Sequence, residues 1–542
     1  MRSILAICLL GTVAHLAIGQ DTLPVPGIAL NRNIGPGDEQ RHTLHANAGE
    51  LISGMFEPHG ATAIIEVRDP SNVTLRTFGA LEEPLSRTQR IGFVAPVLGE
   101  YQIRIVGVQP GSYTLRLAGV AASTRMRGVS VVPKNVYSSD RIEQLTREMD
   151  AGRRDAVDRF WHEIAGKGPI VESSKDNDQE VLVTFLWRET YELHNVLLVW
   201  SPAWFRADDY YMSRLPGSDV WYKTLRIHTG TRFSYALSPN DTPADRELTT
   251  RADPLNPRRY PESLDLSNSW VTSVFELPGA PDESWFRRTP TLRGQLEPKK
   301  FKSTILKGER DIWLYTPAGY TPRSGPYPLV ILFDGAGYLN TTWNGGINTF
   351  DNLMADRRIR SAVVCFVDTS KFRATDLGFG TAFGDAIATE LLPMLRSSYA
   401  IANRAQDVVV GGYSAGGTAA ALIALRHSGL FGNVLSQSGN FRARMPGSPE
   451  PNSLTRLYRD TARIPVRFYL DWGLYDNIPT ATLPLDEMAL DEALTQANRH
   501  FRDVLLAKGY DVTYQEIGGA HEAIHFRATM ADGLMALLKS PD

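Results

Sequence analysis

Val408 to Gly417 reads Val-Val-Val-Gly-Gly-Tyr-Ser-Ala-Gly-Gly, and the chain continues from Thr418 as Thr-Ala-Ala-Ala-Leu-Ile-Ala-Leu. A β-branched run suits a buried strand, and an alanine- and leucine-rich run suits a helix. Between them stands a pentad, Gly412-x-Ser414-x-Gly416. A strand that enters a helix through such a turn presents its central serine at the top of a mostly parallel sheet. The turn is strained, and side chains two residues before and after the serine are expected to collide, so both positions call for glycine. The helix then aims its free N-terminal amides at the serine, where negative charge develops during acyl transfer. With 45 glycines in the chain, a bare pentad could arise by chance. The strand before it and the helix after it favour an α/β fold with a serine nucleophile.

A serine hydroxyl attacks well only when a base takes its proton. In this architecture the partners come later in the chain, in the order serine, acid, histidine. Downstream of Ser414 lie His427, His500, His521 and His525. His427 sits on the helix after the turn and points away, and His500 falls in the middle of a solvated helix. His521 comes after a strand, Val512 to Ile517, and a short loop, Gly518-Gly519-Ala520, from which it can reach back to the serine. It is the expected base, with His525 as the second choice. The acid should follow the preceding strand, Val466 to Leu470. Asp471 stands at that strand's end and Asp476 on the loop beyond it, where the acid is favoured. The oxyanion hole is expected from the amide of Ala415 and one after Leu329 to Phe333, at Gly335 or Ala336. His521-Glu522-x-x-His525 has zincin spacing. It comes after a glycine loop at a sheet end and would leave the pentad unexplained, so neither a metal nor a cofactor is expected.

A chain of 542 residues exceeds one core, so several domains are expected. Hydrophobic content of 43%, charged content of 22% and a net charge of -3 are ordinary for a globular protein, and no basic run points to nucleic acid. Residues 1–19 read as a signal peptide, with Arg2 before an apolar run and small residues at Ala17 and Gly19. Export to the periplasm or beyond is the expectation. No later stretch reaches the ~20 apolar residues of a membrane span, so no stable span should remain after cleavage. The cysteines are Cys8 and Cys365; losing the leader removes one, which rules out an internal disulfide, and Cys365 reads as a buried strand residue.

Residues 20–125 read as a small β-sandwich, with strands around 63–67, 91–95, 101–106 and 112–117. A linker covers 125–136 and an amphipathic helix 141–164. Residues 126–295 form a second β-domain behind that helix, with strands at Glu180 to Arg188, Asn195 to Trp200 and Thr231 to Leu237. Trp187, Trp200, Trp204 and Trp221 lie near strand ends, as core residues or as stacking surfaces for an aromatic ligand. From 296 to 542, strands alternate with helices such as Phe383 to Arg396 and Leu490 to Leu506, the pattern of an α/β-hydrolase domain.

Many blocks resemble the enterochelin esterase (ferric enterobactin esterase) family. They include Phe160-Trp161, Phe185-Leu186-Trp187-Arg188, Met212 to Tyr222, Asp253-Pro254-Leu255-Asn256-Pro257, Arg310 to Pro317, Asp334-Gly335, the pentad and Gly518-Gly519-Ala520-His521. The resemblance implies an immunoglobulin-like β-domain packed on an α/β-hydrolase domain. It implies a small-molecule ester substrate, a catecholate siderophore trilactone or its iron complex. It carries the nucleophile to Ser414, the base to His521 and an acidic residue to Asp476. Arg214, Trp221 and Tyr413 are the candidate substrate contacts. Gly99-Glu100-Tyr101 and Gly111 to Leu115 resemble the pre-peptidase C-terminal family of exported bacterial enzymes, an accessory module. Three departures keep other substrates open: the signal peptide, the extra sandwich, and Ala336-Gly337-Tyr338 where the family carries bulkier or amide side chains. A feruloyl or acetyl ester of a plant-wall polysaccharide is the alternative substrate. A non-catalytic binding protein on a hydrolase fold is the alternative of another class, and the intact order of serine, acid and histidine argues against it.

Overall fold

The computed structural model describes residues 19–22, 29–81, 83–120, 137–200, 207–341, 343–446, 450–476 and 494–540. Residues 1–18 of the expected leader, the 125–136 linker, Trp204 and the start of the helix expected from Leu490 lie outside them.

The first β-rich region pairs a five-stranded sheet with a four-stranded one. Alternating residues of both sheets supply one core, which includes Phe56, Ile65, Phe93, Tyr101 and Tyr113. This region is docked on the second β-rich region. Arg76 donates to the carbonyl of Thr250 at 2.7 Å, Asn268 donates to the carbonyl of Gly79 at 2.9 Å, and Leu248 packs with Leu51 and Val94.

The single helix expected over 141–164 is two, Asp140–Asp150 and Ala156–Ile164. Ser139 caps the first by accepting from the N–H of Ile142, and Gly152 at φ +75° ends it. The second β-rich region has two four-stranded sheets around Phe185, Trp200, Trp221, Phe233 and Phe275.

The C-terminal region is built on eight strands. In spatial order they are Gln295–Ser303, Gly308–Thr316, Val363–Val367, Leu329–Phe333, Val408–Tyr413, Asn433–Gln437, Arg467–Gly473 and Asp511–Ile517. The first two pairings are antiparallel and the other five parallel. Val408 and Val410 enter the core on one face and Val409 the core on the other, so both sides of the sheet are covered. Helical residues run from Thr381 to Ser398 with a π-helical turn at Ile387–Leu391. Cys365 is buried in its strand, and burial pushes its thiol up.

Candidate active site

Ser414 has φ +55° and ψ -123°, a conformation that side chains rarely adopt, and Ala415 opens the twelve-residue helix to Arg426. The strand before it is buried, whereas Ser414 and Ala415 are partly exposed. A Cβ on Gly412 would stand 3.0 Å from two backbone atoms of Gly416. A Cβ on Gly416 would meet nothing nearer than Phe333 Cβ at 3.5 Å. The collision expected on both sides of the serine therefore exists on one.

Asp334, beyond the neighbouring strand, is left-handed (φ +56°) and starts a short helix at Gly335. A bidentate ion pair from Arg373, nearest at 2.8 Å, and a hydrogen bond from Thr369 hold its carboxylate. A Cβ on Gly335 would stand 2.7 Å from the backbone of Phe366 and Val367, so only glycine fits. Gly335 is buried and Ala336 partly exposed. Both sit at the start of their helix, as Ala415 does, where an N–H has no intrahelical partner. Asp334 adjoins the turn, since its Oδ2 lies 3.6 Å from where a Gly416 Cβ would be.

Nδ1 of His521 lies 2.8 Å from Oδ1 of Asp476, an ion-pair distance with the ring tilted off hydrogen-bond alignment. Burial pushes the Asp476 carboxyl up, but His521, Ser438 and His525 outweigh it and hold it below the usual carboxylate range. One aromatic ring links this pair to the serine's strand. Tyr413, just before Ser414, stacks on Phe526 at 4.7 Å and 7°, and the edge of His521 meets the same ring at 5.4 Å. Asp471, at its strand end, pairs instead with His525, Nε2 to Oδ1 at 3.1 Å. The two carboxylates thus serve two different histidines. His521 precedes the helix Ala523–Leu538 while His525 lies inside it, so they do not share a helical face as a zincin pair would. His427 bonds Asp385 at 2.8 Å, and His500 is exposed on the helix Leu494–Ala507.

Gln437 was invisible in the sequence, being a polar residue at the end of a short strand. It is fully buried and uses its whole amide. Its Oε1 accepts from Tyr338 at 2.8 Å, and its Nε2 donates to Phe526 O and Thr529 Oγ1, each at 2.7 Å. Its carbonyl accepts the N–H of Ser414 at 2.8 Å. One residue thereby ties together the serine turn, the helix after Asp334 and the helix after His521.

The second β-rich region grips the acid and histidine loops. The hydroxyl of Tyr475 accepts the N–H of His228 at 2.9 Å, and its ring packs on Trp200 at 5.3 Å. The carbonyl of Gly518 accepts the N–H of Arg232 at 2.7 Å. Glu522 accepts the N–H of Ser234 at 2.8 Å together with its hydroxyl. Trp221 and Arg214 lie elsewhere in that region. The Trp221 ring is in the core and its N–H donates to Glu189 at 2.8 Å, while Arg214 pairs with the same carboxylate at 2.9 Å. A covered indole has no face for a ligand, which corrects the expectation of a stacking surface there. Tyr413 stays beside Ser414, with its hydroxyl crowding Gly337. A cleft of about 680 Å³ on the same region is lined by paired charges such as Arg258, Glu262, Glu276 and Arg287, and contains none of Ser414, Asp476 and His521.

Comparisons with known proteins cover the same ground. Residues 182–286 match the family described as enterochelin esterase, N-terminal, and residues 303–537 match the putative esterase family. The iron(III) salmochelin esterase of Escherichia coli O6:H1 is 30% identical over 341 residues, 59% of this chain and 79% of the relative. The iron(III) enterobactin esterase of Dickeya dadantii is 27% identical over 421 residues, 71% and 93% of the two chains. The fold matches the crystal structure of the enterobactin esterase from Shigella flexneri in the presence of enterobactin, with TM-score 0.53, 24% identity, and 70% and 97% of the chains covered. The ferric enterobactin esterase from Salmonella typhimurium gives TM-score 0.55 at 23% identity, with 70% and 98% covered. Identity of 30% across four-fifths of a curated relative, with both family matches in chain order, shows that this chain is an esterase belonging to the enterochelin (iron(III) enterobactin) esterase family.

Proposed function

We propose that this esterase hydrolyses the ester bonds of a catecholate siderophore trilactone, or of its iron complex, through an acyl-enzyme on Ser414. The observation that carries the reading is the strained Ser414 backbone at a strand–helix turn, in a fold that also pairs Asp476 with His521 beyond the next parallel strands. In this reading His521, oriented through Nδ1 by Asp476, takes the Ser414 proton on Nε2 as Oγ attacks the ester carbonyl. The amides of Ala415 and of Gly335 or Ala336 receive the oxyanion. Collapse of the tetrahedral intermediate expels the alcohol, which takes the proton from His521. Water, deprotonated by the same ring, then releases the acid. The names of the curated relatives, enterobactin and salmochelin esterases, supply the substrate class.

We also read both β-rich regions as sandwiches, the second immunoglobulin-like, and the apolar N-terminus as an export signal. Hydrolysis of p-nitrophenyl acetate and of enterobactin, with product masses read by mass spectrometry, tests the activity. The wild type should linearise the trilactone, and Ser414→Ala should lose at least about 10⁴-fold in kcat. Retained turnover in that variant would refute the nucleophile. Selective cleavage of feruloylated or acetylated polysaccharide would overturn the substrate.

A further inference from the structure

His525 and Asp471 form a second acid–histidine pair that the mechanism leaves unused. Both side chains are fully buried. Nδ1 of His525 lies 3.0 Å from the carbonyl of Ala520, and Nε2 lies 3.1 Å from the carboxylate of Asp471. A carbonyl and an ionised carboxylate accept only, so satisfying both contacts requires a proton on each ring nitrogen. The Ala520 carbonyl belongs to the peptide bond that carries His521, and it also accepts the N–H of Glu522 at 2.9 Å. We propose that His525 is held as an imidazolium, and that it is a positioning residue that fixes the Ala520–His521 peptide and sets the basicity of His521.

The charges around it are defined. Asp471 comes from the adjacent strand, Asp476 and His521 from the loops above, and Glu522 from the turn before the helix. Tyr338, Tyr469 and Asp532, the last on the same helix as His525, also interact electrostatically with Asp471. Burial opposes a charged His525, yet Asp471 and Asp476 together hold its proton above the usual histidine range.

The inference rests on the assignment of His521 as base, and the experiment separates the two. Rates of p-nitrophenyl acetate hydrolysis are measured against pH for wild type, H525Q, and the double variant D471N/H525Q, with S414A as control. H525Q removes a cation and leaves an anion, which favours protonated His521. The acid limb of kcat/KM should therefore move up by about half to one pH unit. The double variant removes both charges, so the limb should return toward wild type. A purely structural role would lower activity at every pH, and an unmoved limb would overturn the proposal. Turnover retained in S414A would overturn the underlying reading and this inference with it. Should either variant misfold, ¹⁵N spectra of histidine-labelled wild-type enzyme still decide. One ring should stay doubly protonated at pH 8, and a neutral ring at this position would refute the imidazolium.

Discussion

The two glycines of the pentad look equivalent in sequence and are not equivalent in space. An added Cβ on Gly412 would lie 3.0 Å from both Cα and C of Gly416 and 3.3 Å from its carbonyl oxygen. Comfortable carbon–carbon contact begins at about 3.5 Å, so the main chain must give by a few tenths of an ångström in a turn that already carries Ser414 at φ +55°. Overpacking of this kind costs about 1–3 kcal/mol. On Gly416 the nearest neighbours would be 3.5 and 3.6 Å away, ordinary contact, and the residue is the second of a twelve-residue helix. Glycine to alanine within a helix gains about 0.5–1 kcal/mol, less near the end. Gly412→Ala should thus melt several degrees below wild type, at about 2–4 °C per kcal/mol for a domain of this size. Gly416→Ala should melt within about 2 °C of wild type and keep most of its turnover. Differential scanning fluorimetry and urea midpoints by tryptophan fluorescence would report the difference. Equal losses in the two variants would refute the argument from approach distance.

Three further outcomes are expected from the site. Asp476→Asn should cost about 10⁴-fold in kcat by disturbing the tautomer of His521, while Asp471→Asn should retain far more activity; steady-state kinetics showing the reverse would exchange their roles. Tyr475→Phe keeps the ring on Trp200 but removes the acceptor for the N–H of His228, so it should cost about 1 kcal/mol of stability and lower kcat with KM little changed. Burial lifts Glu522 from its ordinary range to about 7 against the hydrogen bonds of Ser234. The folded state then holds this proton to higher pH than the unfolded chain, so stability falls between about pH 4.5 and 7. Melting curves of Glu522→Gln should lack that part of the slope, and identical pH dependence in the two proteins would contradict it.

Long apolar runs made the sheet readable. Leu329–Phe333 and the strand from Val408 are buried on both faces, and such strands need no alternation to be recognised. Asn433–Gln437 escaped notice because only Val434 and Leu435 are apolar, although the strand lies between those leading to Ser414 and Asp471. The elbow, the acid and the base keep a fixed chain order, so spacing sufficed to nominate them. Gln437 and Glu522 act through partners about 90 and 288 residues away, and no local pattern encodes such contacts. Trp221 misled for the opposite reason: tryptophan suits a core and a binding face equally well, and only burial tells them apart.

The division between the β-rich and α/β halves is therefore not one between accessory and catalyst. The Ser414 turn is held from within its own sheet, through Gln437 and the helix that comes after His521. The loops bearing Asp476 and His521 are tied to each other within the α/β region, where Tyr475 donates its N–H to the carbonyl of Gly519 at 3.0 Å, and are held from outside it as well, by His228, Arg232 and Ser234 of the second β-rich region. A buried ion pair reinforces that grip. Arg527, early in the helix after His521, bonds Glu283 at 2.7 Å with both side chains almost wholly covered. Arg527 also pairs with Glu262 at 2.8 Å and Glu283 with Arg287 at 2.6 Å, so removing one partner leaves the other charge a counterion and costs less than breaking an isolated buried pair, about 3–5 kcal/mol. The Ser414 turn is thus anchored in one region, and the Asp476 and His521 loops in two. In the proposed mechanism, placement of the His521 imidazole then depends in part on how the two regions are docked.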